Sequence, residues 1–156
     1  MRLNPDYVRD ILLYIEEKLD YTLSESGTPY QRKGILSGAL LADDCFSKCN
    51  RQELTYALEL LIKEEFIDLA FAPKIVNGNI VTARIIGLTW TGHELLDSVR
   101  DKTIWTAVKK RAAKFGGASI GVLAGAAKTV SGAMLTDPNA IQNFLAGVDN
   151  IMKMLP

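Results

Sequence analysis

Histidine and cysteine are nearly missing from this chain, which carries one histidine and two cysteines in 156 residues. A single imidazole cannot build a multi-histidine metal site. Cys45 and Cys49, at C-x3-C spacing with no second pair and no nearby His, fit neither a zinc framework nor a disulfide one. We read both as packing residues of a reducing cytoplasm. Net charge is missing too: 18 cationic side chains face 18 anionic ones, so no global field draws the protein onto nucleic acid or lipid. Long apolar runs are also lacking. Only thirteen uncharged residues separate Lys114 from Lys128, short of the roughly 20 that span a bilayer. The opening Met1-Arg2-Leu3-Asn4-Pro5 has neither an apolar h-region nor a small-residue cleavage site, which argues against a signal peptide.

What is there matches an ordinary domain, 48% hydrophobic and 23% charged. The length suits one core plus an appendage. Charge is unevenly spread. Residues 1–66 hold 8 Lys/Arg against 12 Asp/Glu, whereas residues 100–114 hold six cations against Asp101 alone. Positive charge is therefore concentrated in one short helical stretch.

Asn4-Pro5-Asp6 reads as a helix start, with a capping Asn, Pro at the first position and acid in the first turn. Val8, Ile11, Leu12, Ile15 and Leu19 then recur at helical spacing. Ser24 to Pro29 is turn chemistry. Ile35, Leu36, Leu40, Leu41, Cys45 and Phe46 fit a short strand and a second helix, with Ser37 as its cap. Asn50 caps a third helix running to about Phe66, with Glu53 placed to close a capping box and an apolar face of Leu54, Ala57, Leu58, Leu61 and Ile62. Ile67–Ile75 and Ile80–Leu88 are β-branched runs flanking Asn77-Gly78, a dipeptide suited to a tight hairpin turn. Pro73 marks the first run as an edge or interrupted strand. Thr89 or Thr91 caps a fourth helix, and Asp101 offers a fresh cap with a kink. Asp137-Pro138 opens a last helix.

Helix, helix, helix, hairpin is the order of a winged helix. The expected fold is α+β and mostly helical: a winged helix-turn-helix domain over residues 1–114, with a Gly/Ala-rich segment and amphipathic helix over 115–156. The block Asn4-Pro5-Asp6-Tyr7-Val8-Arg9-Asp10-Ile11-Leu12-Leu13-Tyr14-Ile15-Glu16 resembles the opening of an uncharacterised bacterial and prophage domain-of-unknown-function family, the one numbered 2513. Leu88-Thr89-Trp90-Thr91-Gly92-His93-Glu94-Leu95-Leu96-Asp97-Ser98-Val99-Arg100-Asp101, followed by Ile104-Trp105, is similar to its second hallmark. Together they anchor roughly residues 1–110. The resemblance implies a winged-helix-like fold and a prophage-like setting. It implies no established activity and supplies no catalytic residues.

His93-Glu94 begins like the H-E-x-x-H zinc motif, but Asp97 stands at the second ligand position. A structural role is expected instead, with Glu94 closing a cap and His93 packing beside Trp90. No Ser or Cys nucleophile pairs with a plausible base, so no catalytic residue, metal or cofactor is expected and the chain is read as a non-enzyme. Trp90 and Trp105 are read as core anchors.

On the third helix Arg51, Gln52 and Thr55 stand where base edges would be read, and Lys48 where phosphate would lie. Lys74, Asn77, Asn79 and Arg84 on the wing complete this DNA-facing set. Residues 46–66 nevertheless carry three cations against four anions, and such a surface neutralises few phosphates. Lys109, Lys110, Arg111 and Lys114 form a basic cluster suited to phosphate or anionic lipid. Gly117, Gly121 and Gly125 fall on one helix face, and Ile141, Phe144, Leu145, Val148, Ile151, Met152 and Leu155 form an apolar stripe. Both features can bury themselves on the winged domain, on a second copy or on lipid, and self-association as a homodimer is the expected outcome. The leading expectation is a cytoplasmic, prophage-related DNA-binding regulator. The alternatives are a protein-interaction module docking through its acidic N-terminal half and, ranked last, a membrane-linked effector.

Overall fold

A computed structural model describes residues 2–19, 34–114 and 119–137, together with 139 and 143. The first helix, α1 (Pro5–Lys18), begins where Asn4 accepts a hydrogen bond from the Asp6 amide at 3.1 Å. Its buried Val8, Ile11, Leu12 and Ile15 follow the expected spacing. A two-residue strand, β1 (Ile35–Leu36), runs straight into the short helix α2 (Ser37–Leu41), and a 3-10 turn over Asp44–Phe46 follows. The third helix, α3 (Arg51–Lys63), presents Leu54, Ala57, Leu58, Leu61 and Ile62 inward.

Three local expectations need correction. Ser37 does not cap α2. It is buried, its hydroxyl accepts from the Ala83 amide at 3.1 Å, and its own amide donates to the Ala83 carbonyl at 2.9 Å. Asn50 does cap α3, accepting from Gln52 and Glu53 amides at 3.0 and 3.3 Å, but Glu53 does not close a box. The Asn50 amide donates to the Tyr7 hydroxyl at 3.0 Å, while the Glu53 carboxylate accepts from Asn4 at 3.4 Å. Finally, α3 stops three residues early, because Glu65 adopts a positive φ of 57° and turns the chain.

The two β-branched runs resolve into four strands. The pieces β2 (Ile67–Leu69), β3 (Lys74–Val76), β4 (Asn79–Thr82) and β5 (Arg84–Leu88) are separated by Pro73, the Asn77-Gly78 turn and the buried Ala83. Pro73 has no amide to give a ladder, so the first run breaks there. One antiparallel sheet has the order β1-β5-β2, and β3 pairs with β4 as a separate hairpin. Asn77 and Gly78 both have positive φ, 51° and 79°, the geometry that matches a two-residue turn to strand twist.

Thr89 caps α4 (Trp90–Val99), accepting from the Gly92 amide at 3.1 Å. The helical path then breaks. Asp101 accepts from the Thr103 and Ile104 amides at 2.7 and 3.0 Å and starts α5 (Lys102–Lys114). The Gly/Ala-rich stretch forms α6 (Ile120–Thr136), which lies on α4 and α5 and buries Ile120, Leu123, Ala126, Ala127 and Val130 in the same apolar cluster as α1 and α3. The protein is thus α+β and mostly helical, with small antiparallel sheets. No described helix is long and apolar enough to cross a membrane.

Polar ties hold the helices in register. The Trp105 indole and the Lys109 ammonium both donate to Asp6, at 2.7 and 2.8 Å, fastening α5 to α1. Arg9 donates to the Val99 and Arg100 carbonyls at 2.8 and 2.7 Å, satisfying the end of α4. Arg100 grips Glu16 through two bonds of 2.7 and 2.8 Å. Burial opposes ionisation of Asp6, but the hydrogen bonds from Lys109 and Trp105 outweigh it and hold its carboxyl below the ordinary range. Hydrogen bonds from Arg100 lower Glu16 in the same direction. A carboxylate with a depressed folded pKa adds stability above its unfolded pKa and loses it as pH falls through the folded one. The urea midpoint is therefore expected to hold near neutrality and fall below about pH 4. Asp6→Asn should lower the neutral midpoint and flatten that acid limb; an unchanged limb would show that Asp6 is not among the groups responsible.

Candidate recognition surface

The side chains on the outward side of α3 are largely tied to their own molecule. Arg51 donates to the Leu41 carbonyl at 2.5 Å, closing the end of α2. The Thr55 hydroxyl donates to the Arg51 carbonyl at 2.8 Å. Further along, Glu59 accepts from the Ile80 amide at 3.0 Å, and Lys63 reaches both Glu59 at 3.7 Å and the Gly78 carbonyl at 3.4 Å. The hairpin thus leans on the second half of α3. Gln52 and Lys48 stay exposed, as do Lys74, Asn77, Asn79 and Arg84 on the hairpin segment; Asn79 makes a 3.5 Å contact to the Asn77 carbonyl.

The basic cluster is also partly spent. Lys109 pairs with Asp6 and lies 5.6 Å from the Trp105 ring centre. Lys110 and Arg111 are half-buried and engaged, and Lys114 ends the helix. The acidic first half of the chain and this basic stretch meet, at least through Asp6, inside one molecule.

Gly121 and Gly125 lie on the exposed side of α6, and a methyl group added at Gly125 would meet nothing within 4 Å. Gly117, Ile141, Phe144, Leu145, Val148, Ile151, Met152 and Leu155 fall outside the described residues. Trp105 is the core anchor expected of it, but Trp90 is not: it is 80% exposed. Trp90 is the first residue of α4, and it stands off the side of that helix that buries Leu95, Leu96 and Val99. Its indole donates to Glu94 at 3.2 Å. Glu94 accordingly does not close a cap; it also approaches Lys128 on α6 at 3.8 Å. His93 is exposed.

Cys45 is exposed rather than packed. Its thiol is pushed up to about 11, by partial burial first and then by Asp43, so it stays protonated and a poor nucleophile at neutral pH. Neighbouring Tyr14 donates to Asp43 at 2.8 Å, and burial together with that carboxylate raises its hydroxyl to about 12. No group of three His, Cys, Asp or Glu side chains able to hold a metal occurs among the described residues.

One feature escaped the sequence reading. Phe71, Ile75 and Val81 are more than half exposed and Val76 nearly so, all on a single stretch of eleven residues. The pairing of Val76 with Asn79 and of Ile75 with Ile80 puts Val76 and Val81 on one face of the hairpin. Ile75 shares the other face with the partly buried Ile80. The signal was present as adjacent pairs, Ile75-Val76 and Ile80-Val81. A hairpin with one buried side needs only every second residue apolar, so paired apolar residues leave some outside.

These features define a small α+β protein with a protruding apolar hairpin. A family model described as hypothetical protein (DUF2513) matches residues 2–119, and the chain belongs to that family. It is also similar to a protein printed as "Uncharacterized protein" from Haemophilus influenzae (strain ATCC 51907 / DSM 11121 / KW20 / Rd), 33% identical over 109 residues, which cover 70% of this chain and 76% of that one. No solved structure matches the chain.

Proposed function

We propose that this chain is a winged-helix domain that recognises another protein, with the β3–β4 hairpin as its wing and contact surface. The order α1-β1-α2-α3-β2-hairpin-β5 supports the winged-helix reading, and the exposure of Phe71, Ile75, Val76 and Val81 within eleven residues carries the functional one. Apolar side chains in water are unfavourable at about 25 cal/mol per Å², so several of them exposed on one hairpin segment mark a surface covered in use. This replaces the acidic first half as the docking surface, because Asp6 and Glu16 are already paired within the molecule.

Affinity capture from a nuclease-treated bacterial lysate tests it. The wild-type chain is expected to retain a protein that the doubly substituted Ile75→Asp/Val81→Asp chain does not. Equal capture by both would remove the hairpin from the account. A second reading, a prophage-related DNA-binding regulator, is favoured by the exposed Lys48, Gln52, Lys74 and Arg84. It requires nucleic acid to be recovered instead, with loss on Gln52→Ala.

A further inference from the structure

Resting on the protein-recognition reading, we infer the chemistry of the partner: a segment that brings an apolar centre rimmed by carboxylates. Between residues 69 and 84 the chain carries Lys74 and Arg84 and no acid at all. Both cations are exposed, and neither has a bonded partner among the described residues. The acid that approaches the hairpin, Glu59, is taken up by the Ile80 amide and Lys63, so it neither neutralises these cations nor repels an incoming anion.

The arrangement is that of an interface with an apolar middle and a polar rim. Lys74 pairs across the ladder with Thr82, and Arg84 follows two residues on, so both cations stand at the root of the hairpin. Val76 and Val81 share one exposed face of it, and Ile75, also exposed, lies on the other. A partner that buries the valines therefore brings its own edge over the two cations. Opposite charge there steers association and rejects basic partners, while the apolar centre supplies affinity. An acidic, amphipathic peptide segment meets both conditions. Nucleic acid meets only the first, because its phosphate edge has no apolar group to set against Val76 and Val81.

The test is selection of a displayed library of random 12-residue peptides against the full-length chain, followed by titration of the enriched peptides. Enriched sequences are expected to combine aliphatic or aromatic residues with Asp or Glu. Binding should weaken at least tenfold with Ile75→Asp/Val81→Asp, and Lys74→Glu/Arg84→Glu should shift the enriched set toward Lys and Arg. Peptides that need the exposed Ile75 and Val81 but show no acidic enrichment, or ignore the charge reversal, overturn the carboxylate-rim inference and leave the hairpin as a contact surface. Peptides indifferent to Ile75→Asp/Val81→Asp overturn both. Co-sedimentation with phosphatidylserine–phosphatidylcholine vesicles that depends on the same side chains would overturn the inference in favour of lipid. Since every substituted side chain is exposed, amide dispersion in a heteronuclear spectrum should remain that of the wild type; loss of dispersion would contradict the solvent-facing geometry itself.

Discussion

Gly92→Ala is expected to destabilise the protein by about 3 kcal/mol or more, through overpacking against a backbone that cannot yield. A methyl group at Gly92 would sit inside the contact distance of the Phe66 carbonyl oxygen, with the Leu88 Cβ at 3.2 Å on its other side. That carbonyl is held in place by the Thr89 amide at 3.1 Å, and Thr89 is itself the cap of α4 and donates its hydroxyl to the Glu65 carbonyl at 2.7 Å. The start of α4 is thus wedged against the turn between α3 and β2, and Gly92 is where the two meet. Thermal unfolding should drop by roughly 10 °C. Gly125→Ala is the control. Nothing lies within 4 Å of the added methyl, so the helical preference of Ala should leave stability unchanged or raise it by up to about 1 kcal/mol. If both variants lost stability equally, the close approach at Gly92 would not exist.

The two tryptophans are expected to differ as sharply. Trp105→Ala removes a side chain only 6% exposed, together with its bond to Asp6, and should cost about 3–5 kcal/mol. Trp90 is 80% exposed, so Trp90→Ala should stay within roughly 0.5 kcal/mol. Emission offers an independent check. The Trp90→Ala chain, left with Trp105, should emit at shorter wavelength than the wild type, because the water-exposed indole has been removed. Comparable losses of stability in the two variants would mean that Trp90 enters a core after all.

These expectations also show which parts of the fold are legible in the sequence. Helix starts were legible where a short polar side chain reaches its own next turn. Asn4, Asn50, Thr89 and Asp101 each cap a helix by a contact two or three residues long, and such contacts are written in local sequence. The apolar faces of α1 and α3 and the turn at Asn77-Gly78 were legible for the same reason. Ser37 was misread because its partner, Ala83, lies 46 residues away, and nothing local distinguishes a capping hydroxyl from one that clamps a distant strand. Glu53 and Glu94 were misread likewise, each drawn off by a partner from elsewhere in the chain or by a neighbouring indole. The candidate surface was the least legible part. Residue type suggested which groups on α3 can meet a base, but whether Arg51 or Thr55 is available depends on whose carbonyl it already holds. The exposed hairpin went unseen because β-branched residues signal a strand without saying which of its faces is covered.

The central claim is that this molecule meets its partner through the apolar hairpin and not through the outward side of α3. Fluorescence anisotropy of a labelled 30-base-pair duplex, titrated with the full-length chain at about 50 mM salt, tests it most directly, since low salt favours any phosphate-driven binding. The account predicts a Kd no tighter than about 100 μM, the weak end of non-specific affinity, with no change on Gln52→Ala. A sequence-dependent Kd below about 1 μM that is lost with Gln52→Ala would contradict it.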